Sequence, residues 1–282
     1  GTEYKAEWYD SGTTVKLNKT PVREGYLFTG WYADKKLTDE ISRIKMTGNK
    51  TVYAGWEKNA PALHIPDMLN GDDHFAYVSG YPDGTVRPNA KITRAEVAMI
   101  FYRLLDEDAR VANENDSNAF SDVTDGMWFN TAVSTISRLD IVKGRSTEIF
   151  DPNAPITRAE FATICARFDH SSVEGTESFS DIHGHWAEKF VERAAALGWV
   201  NGYMDGTFRP NTTITRAEAM AMINRVLGRL PESEKDLLPG MKTWPDNADP
   251  SAWYYLTIQE ATNGHIFERK ADGIHERWIN LK

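Results

Sequence analysis

The sequence predicts a multidomain α+β chain: a small β-rich module, then a mostly helical bundle with pseudo-threefold symmetry. Three observations predict it. Residues 1–58 are short aromatic-rich runs broken by Gly, Asn and Pro, the texture of brief strands. From residue 69 a turn followed by Ile-Thr-Arg-Ala-Glu recurs three times, at Ile92, Ile156 and Ile214. A second block, aromatic-x-Asp and then Trp, also recurs three times, starting at Phe120, Phe179 and Trp244. Fixed-period recurrence is the mark of units that bury their apolar faces only against one another.

In the β-rich module the runs are "AEWYD", "TVKL", "LFTGWYAD" and "KTVYAGWE", with room for a helical turn or two near 37–46. Residues 59–68, containing "NAPALHIP", read as a linker.

Beyond it, Gly80, Gly144 and Gly202 each stand at the same distance from Arg94, Arg158 and Arg216. Threonine as N-cap and glutamate three residues on form a capping box, so each Thr-Arg-Ala-Glu starts a helix. The helices carry apolar stripes at helical spacing: Val97, Ile100, Phe101, Leu104; Phe161, Ile164, Cys165, Phe168; Ala219, Met222, Ile223, Val226. A second helix is expected near each of Trp128, Trp186 and Trp253. The bounds follow as 69–106 for a turn/TRAE half, 119–168 and 178–229 for complete units, and 243–278 for a Trp-helix half. The two orphan halves are expected to pack together, making one unit split between the ends of the region. The stretches 106–118 and 230–242 read as solvated.

A net charge of −9 argues against nucleic acid or an anionic membrane surface as partner. Any anionic ligand must therefore be met by a local arginine cluster. Cys165, the single cysteine, leaves no disulfide framework or cysteine-rich zinc site, and its place in an apolar stripe makes it core. No run reaches the ~20 apolar residues of a membrane span. The chain opens on Gly1 without a signal peptide, and the natural protein is expected to be longer.

The arginine of each Thr-Arg-Ala-Glu is the residue that local structure does not explain. A cation in the first helical turn opposes the dipole by ~0.3–1 kcal/mol. Two readings stay open. The guanidinium and the free N–H groups form an anion site for a carboxylate or phosphate, or the arginine pairs with an Asp of its own scaffold, such as that of Phe-Ser-Asp. The Asp-Gly turns lack the ligand ladder of a calcium loop. His183 and His185 lack a third ligand at recognisable spacing, so no metal or cofactor is expected. No nucleophile-elbow, zinc-protease, phosphate-loop or dinucleotide motif is present, and the reading is of a non-enzyme.

The stretch "FSDI…HWA…GWVNGYMDGTFRPNTTITRAEAMAMI", with its recurrences over 69–278, resembles the S-layer homology domain. "REGYLFTGWYADKKLTDEI…TVYAGWEK" resembles the Listeria–Bacteroides repeat, a β-grasp-like spacer of bacterial surface proteins. The resemblance implies an extracellular chain that holds an exported protein on the bacterial cell envelope without a covalent bond. The implied partner is a secondary cell-wall polysaccharide carrying pyruvate ketals, bound in grooves between units. Modified peptidoglycan and protein–protein assembly at the cell surface are the alternatives, with a glycan-active enzyme the weakest rival.

It further implies that Arg94, Arg158 and Arg216 clamp the ketal carboxylate. Tyr81, Tyr203, Trp128, Trp186 and Trp253 are candidates to pack on the sugar, and core packing is the stronger reading of the tryptophans. Asp83 and Asp205 of the turns would bond hydroxyls. Asp122, Asp181 and Asp246 either touch sugar or cap the next helix. The second turn, Gly-Arg-Ser-Thr-Glu-Ile, lacks the tyrosine and the Asp-Gly, and Asp151 replaces Arg87 and Arg209. A groove built on it is expected to be weak, with the best sites at Arg94 and Arg216.

Overall fold

The computed structural model describes residues 7–17, 21, 26–58, 63–171, 173, 175 and 179–282, with backbone only at 26, 27, 57 and 58. Residue 6 of "AEWYD", residues 23–25 of "REGY" and linker residues 59–62 lie outside the described residues. The chain divides into two compact units, Gly1–Ala62 and Leu63–Lys282.

In the N-terminal unit, β1 (Thr14–Lys16) pairs antiparallel with β3 (Arg43–Lys45), and β2 (Tyr26–Tyr32) with β4 (Tyr53–Lys58). Phe28 packs edge-on against Trp31 and Trp56, which explains the aromatic density of such a small module. The helical turns expected near 37–46 do not form. Asp34 instead gathers the backbone N–H groups of Lys36, Thr38 and Asp39 at 3.0, 2.9 and 2.8 Å, and a side-chain acceptor that close competes with helical bonding.

The C-terminal unit is mixed α/β. Its helices are α1 (Arg94–Leu104), α2 (Glu107–Asn113), α3 (Asn130–Arg138), α4 (Arg158–Phe168), α5 (Glu188–Ala196), α6 (Arg216–Val226) and α7 (Tyr255–Thr262). A closing antiparallel hairpin, β5 (His265–Arg269) and β6 (Glu276–Leu281), follows. Both halves of the capping box are made at Thr93/Glu96, Thr157/Glu160 and Thr215/Glu218, each cap contributing about 1 kcal/mol. All twelve residues of the three stripes are buried in one core, Cys165 among them. α1 packs on α3, α4 on α5 and α6 on α7.

The three Ile-Thr-Arg-Ala-Glu segments hold one another in a cycle. The Ile156 N–H donates to the Ile92 carbonyl, Ile214 to Ile156, and Ile92 to Ile214, at 3.1, 3.1 and 3.4 Å. Arg94, Arg158 and Arg216 donate their backbone N–H to Ala154, Thr212 and Ala90, closing the same cycle a second time. These N–H groups are the orphans of three helix starts, and neighbouring chain satisfies them.

Two stretches differ from expectation. The solvated 106–118 stretch contains α2, which buries no residue and is started by Asp106 accepting from the Asp108 N–H. A helix without an apolar stripe is invisible to periodicity. The hairpin β5–β6 extends past the repeat, where no recurrence could announce it. Residues 63–68, expected as linker, belong to the second unit, with Ile65 and Met68 packed on its core.

Candidate functional site

Each turn is built the same way. A Cβ on Gly80, Gly144 or Gly202 would stand 2.0 Å from Trp244, 2.5 Å from Phe120 or 2.4 Å from Phe179. Glycine is thus required by the aromatic of the second block, which lies against it. Two residues after that aromatic, an aspartate accepts two consecutive backbone N–H groups of the turn. Asp122 takes Phe150 and Asp151 at 2.8 and 2.7 Å, and Asp181 takes Phe208 and Arg209 at 2.7 and 2.8 Å. Asp246 takes Val86 and Arg87 at 3.0 and 2.7 Å. The expected role as caps of the next helix is not met, since those helix starts carry no side-chain cap. The aspartates brace the residue at which the chain turns left-handed: Arg87, Asp151 and Arg209 have φ of 52°, 63° and 60°. Position 151 accepts an aspartate because Asp tolerates that conformation.

Asp83 and Asp205 shape their turns from within. Asp83 Oδ1 accepts from the Thr85 N–H and hydroxyl at 3.0 and 2.6 Å, and Asp205 does the same with Thr207. Arg87 and Arg209 close on the other carboxylate oxygen at 2.8 and 3.0 Å. The threonine hydroxyl and this guanidinium hold each carboxyl down at about 2.

The three TRAE arginines are buried and reach across to a neighbouring turn. Arg94 Nε donates to the Phe150 carbonyl at 2.9 Å, Arg158 Nε to Phe208 at 2.8 Å, and Arg216 Nε to Val86 at 3.0 Å. Nη2 of Arg94 and Arg158 adds the carbonyls of Lys143 and Asn201 at 2.6 and 3.0 Å. Arg94 also meets Glu160 at 3.3 Å, and Arg216 meets Glu96 at 2.9 Å. For Arg94 and Arg216 the acidic partner is the capping glutamate of the next helix, not the Asp of Phe-Ser-Asp. Among the described residues Nη1 of Arg158 and Nη2 of Arg216 donate to no acceptor. Burial lowers the pKa of Arg94 and Arg158, and the carbonyls replace the lost water.

This crossing changes which arginine belongs to which turn. The arginine facing the altered turn 144–151 is Arg94, whereas Arg158 and Arg216 face the two complete turns. The tyrosines have scaffold partners as well. Tyr81 carries the guanidinium groups of Arg87 and Arg216 over its ring at 3.9 and 4.9 Å, and Tyr203 carries Arg209 and Arg158 at the same distances. Tyr81 donates its hydroxyl to Glu96 at 3.1 Å. Both rings therefore hold arginines in place.

The tryptophans are the reverse case. Trp128, Trp186 and Trp253 are 61%, 59% and 63% exposed, so the core reading fails for all three. Each stands just before its helix, where Phe129 packs inward in place of Trp128. Three apolar rings held in solvent at equivalent positions are available to pack on a ligand.

The altered turn borders a cleft of about 330 Å³. Arg94 comes from α1, Lys143 and Arg145 from the second turn, Glu160 and Arg167 from α4, and Trp186 from the block that follows. Arg145 occupies the position of the missing tyrosine and pairs with Glu160. Sequence reasoning missed it, having counted that tyrosine as lost without weighing the cation in its place. Four cations against one carboxylate make this a locally positive cleft on an acidic chain, with an exposed indole at its wall.

Residues 76–98, 119–162 and 178–220 match the S-layer homology domain model, and residues 1–55 match the Listeria-Bacteroides repeat domain. The chain carries an S-layer homology triplet behind a Listeria–Bacteroides repeat. The chain is also similar to curated surface proteins. The chain is 38% identical over 216 residues to cell surface glycoprotein 1 of Acetivibrio thermocellus, covering 72% of this chain and 9% of that protein. It is 36% identical over 219 residues to the cellulosome-anchoring protein of the same organism, covering 76% of this chain and 48% of the relative. It is 32% identical over 170 residues to an S-layer protein of Bacillus licheniformis, covering 58% and 19%. The chain thus spans less than half the length of each of these curated relatives. Among the described residues no helix is long and apolar enough to cross a membrane.

Proposed function

We propose that this chain is a non-catalytic anchor that holds an exported protein on the bacterial cell envelope by binding an anionic wall glycan in grooves between its S-layer homology segments. The location is extracellular, at the bacterial cell surface. Relatives named for cell-surface and cellulosome-anchoring roles support the anchoring role.

The observation that carries the binding reading is the composition of the cleft: Arg94, Lys143, Arg145 and Arg167 around an exposed Trp186. A sugar ring stacks its C–H face on an indole, while a carboxylate on the ring meets guanidinium N–H groups in charge-assisted bonds. A pyruvate ketal supplies such a carboxylate. In the grooves of Arg158 and Arg216 the carboxylate would take the spare Nη1 and Nη2, the remaining guanidinium bonds being spent on the scaffold. The three grooves are therefore unequal: one basic and tyrosine-free, two lined by tyrosine and arginine.

The architecture that makes these grooves is read as a pseudo-threefold bundle with one unit split between the ends. The cyclic bonds of Ile92, Ile156 and Ile214 support it, as does Asp246 serving the first turn as Asp122 and Asp181 serve theirs. The N-terminal unit is proposed as a spacer, with its β-grasp-like character resting on the repeat match alone.

Co-sedimentation with purified cell-wall sacculi tests the anchor. Binding to intact sacculi, lost when the secondary polysaccharide is stripped, is expected. Undiminished binding to stripped sacculi would move the ligand to peptidoglycan.

A further inference from the structure

Four side chains outside the grooves described above meet in the interior near both ends of the C-terminal unit. His74 precedes the first turn, Glu260 lies on α7, His265 on β5 and Glu276 on β6, and all four are 0% exposed. His74 Nδ1 lies 3.1 Å from His265 Nε2, 3.2 Å from Glu276 Oε1 and 3.7 Å from Glu260 Oε1. His265 Nε2 lies 3.4 Å from Glu260 Oε1 and 3.2 Å from Glu276 Oε1. A tetrahedral centre with bonds of about 2.0–2.1 Å sets its ligand atoms about 3.3–3.4 Å apart. The five separations bracket that value.

Three of the four outward atoms are engaged as metal ligands usually are, while His74 Nε2 is buried with no partner among the described residues. His265 Nδ1 is 3.1 Å from the Asn263 carbonyl, which fixes Nδ1 as the protonated nitrogen and leaves the Nε2 lone pair facing the cluster. Glu260 Oε2 accepts the Trp278 indole N–H at 2.8 Å, and Glu276 Oε2 accepts from Arg269 at 3.2 Å. The inward Glu260 Oε1 is fully buried and accepts no hydrogen bond among the described residues. Nor does a lysine or arginine reach Glu260, because the nearby buried Arg229 donates to the carbonyls of Phe75 and Asp73. An orphaned buried carboxylate oxygen aimed at two imidazole nitrogens is the acceptor a cation would satisfy.

We propose that His74, Glu260, His265 and Glu276 form a closed structural zinc site. Two carboxylates neutralise a divalent cation, and two neutral imidazoles complete an N2O2 set suited to zinc. All four ligands come from the protein in a buried position, so the role is structural and not catalytic. The ion would clasp the segment ahead of the first turn to the closing hairpin, joining residues 191 positions apart. This replaces the expectation of no metal. Ligands so distant in sequence give no spacing signature.

The test is elemental analysis and thermal melting of the untagged full chain, stripped with EDTA and then titrated with zinc chloride. One zinc per chain retained through gel filtration is expected. So is a rise in Tm of about 5–10 °C with zinc at about 100-fold its dissociation constant. Cobalt(II) in its place should show the intense visible absorption of a tetrahedral centre, and Glu260→Gln should lose that band. If Glu260→Gln does not fold, the unmodified chain decides alone. A folded chain that retains no zinc and gains no thermal shift from it overturns the proposal, even if glycan binding is intact.

Discussion

The carboxylate of Asp246 accepts the backbone N–H groups of Val86 and Arg87, at 3.0 and 2.7 Å, across 160 residues of sequence. It serves the first turn as Asp122 and Asp181 serve the second and third, although those two lie only 28 and 27 residues from the turns they brace. Asp246→Ala would leave two N–H groups unpaired next to a left-handed arginine. The expected cost is about 2–3 kcal/mol, with a smaller loss for Asp246→Asn. Calorimetric melting checks it, and a change within experimental error would mean that the first turn stands without the C-terminal block.

Gly80→Ala should be costly at the same junction. Its Cβ would lie 2.0 Å from the Trp244 ring, so an overpacking loss of about 1–3 kcal/mol is expected. Gly84→Ala is the control of different cause: it meets no atom within 4 Å but sits at φ +79°. Its strain should be relieved by Gly84→Asn, whereas Gly80→Asn should be worse than Gly80→Ala. Urea denaturation of the four variants compares them.

Trp186→Ala separates packing from display. A core tryptophan would cost about 3–5 kcal/mol on truncation. An indole 59% exposed should cost no more than about 0.5 kcal/mol, while glycan binding falls. Loss of fold in this variant would restore the core reading.

Cys165 should resist thiol reagents in the native protein at pH 8. Burial pushes its thiol well above the ordinary range, so thiolate is scarce, and no solvent path reaches the sulfur. Stoichiometric labelling is expected only after unfolding. Rapid native labelling would mean that α4 opens on the reagent's timescale.

The stabilisation that Asp83 and Asp205 give their turns should be insensitive to pH across the neutral and mildly acid range. Asp83 and Asp205 have folded pKa values lowered to about 2, so their contribution is complete above the unfolded carboxylate value of about 3.9 and is lost as pH falls from there through about 2. Carboxylate chemical shifts followed by NMR would check it, and a midpoint near the unfolded value would contradict it.

Much of the scaffold was legible because it obeys local rules. Thr93, Thr157 and Thr215 announce capping boxes, and the apolar stripes that follow them are buried as their spacing requires. The site was less legible because its logic is between repeats. A motif places Arg94 at a helix start but does not say that its guanidinium lies on the turn of the next repeat, beside Arg145. Nor does residue type tell an exposed Trp128 from a buried Phe129 one position later. Hydrophobicity is the same, and only the direction of the helix start separates them. β5 and β6 fell outside any recurrence, and with them went the His74–Glu260–His265–Glu276 cluster.

The most direct measurement is calorimetric titration with pyruvylated wall polysaccharide and with the same glycan after mild acid removal of its ketals. Arg145→Ala is the variant to pair with it, because the Arg145 side chain is 42% exposed and its acidic partners are Glu160 and Asp151. Removal of the ketals should weaken binding at least about tenfold, a difference of about 1.4 kcal/mol. Arg145→Ala should weaken binding to the intact glycan at unchanged Tm. Equal binding of both glycans by the unmodified chain would contradict recognition of the carboxylate and leave the arginines as scaffold alone.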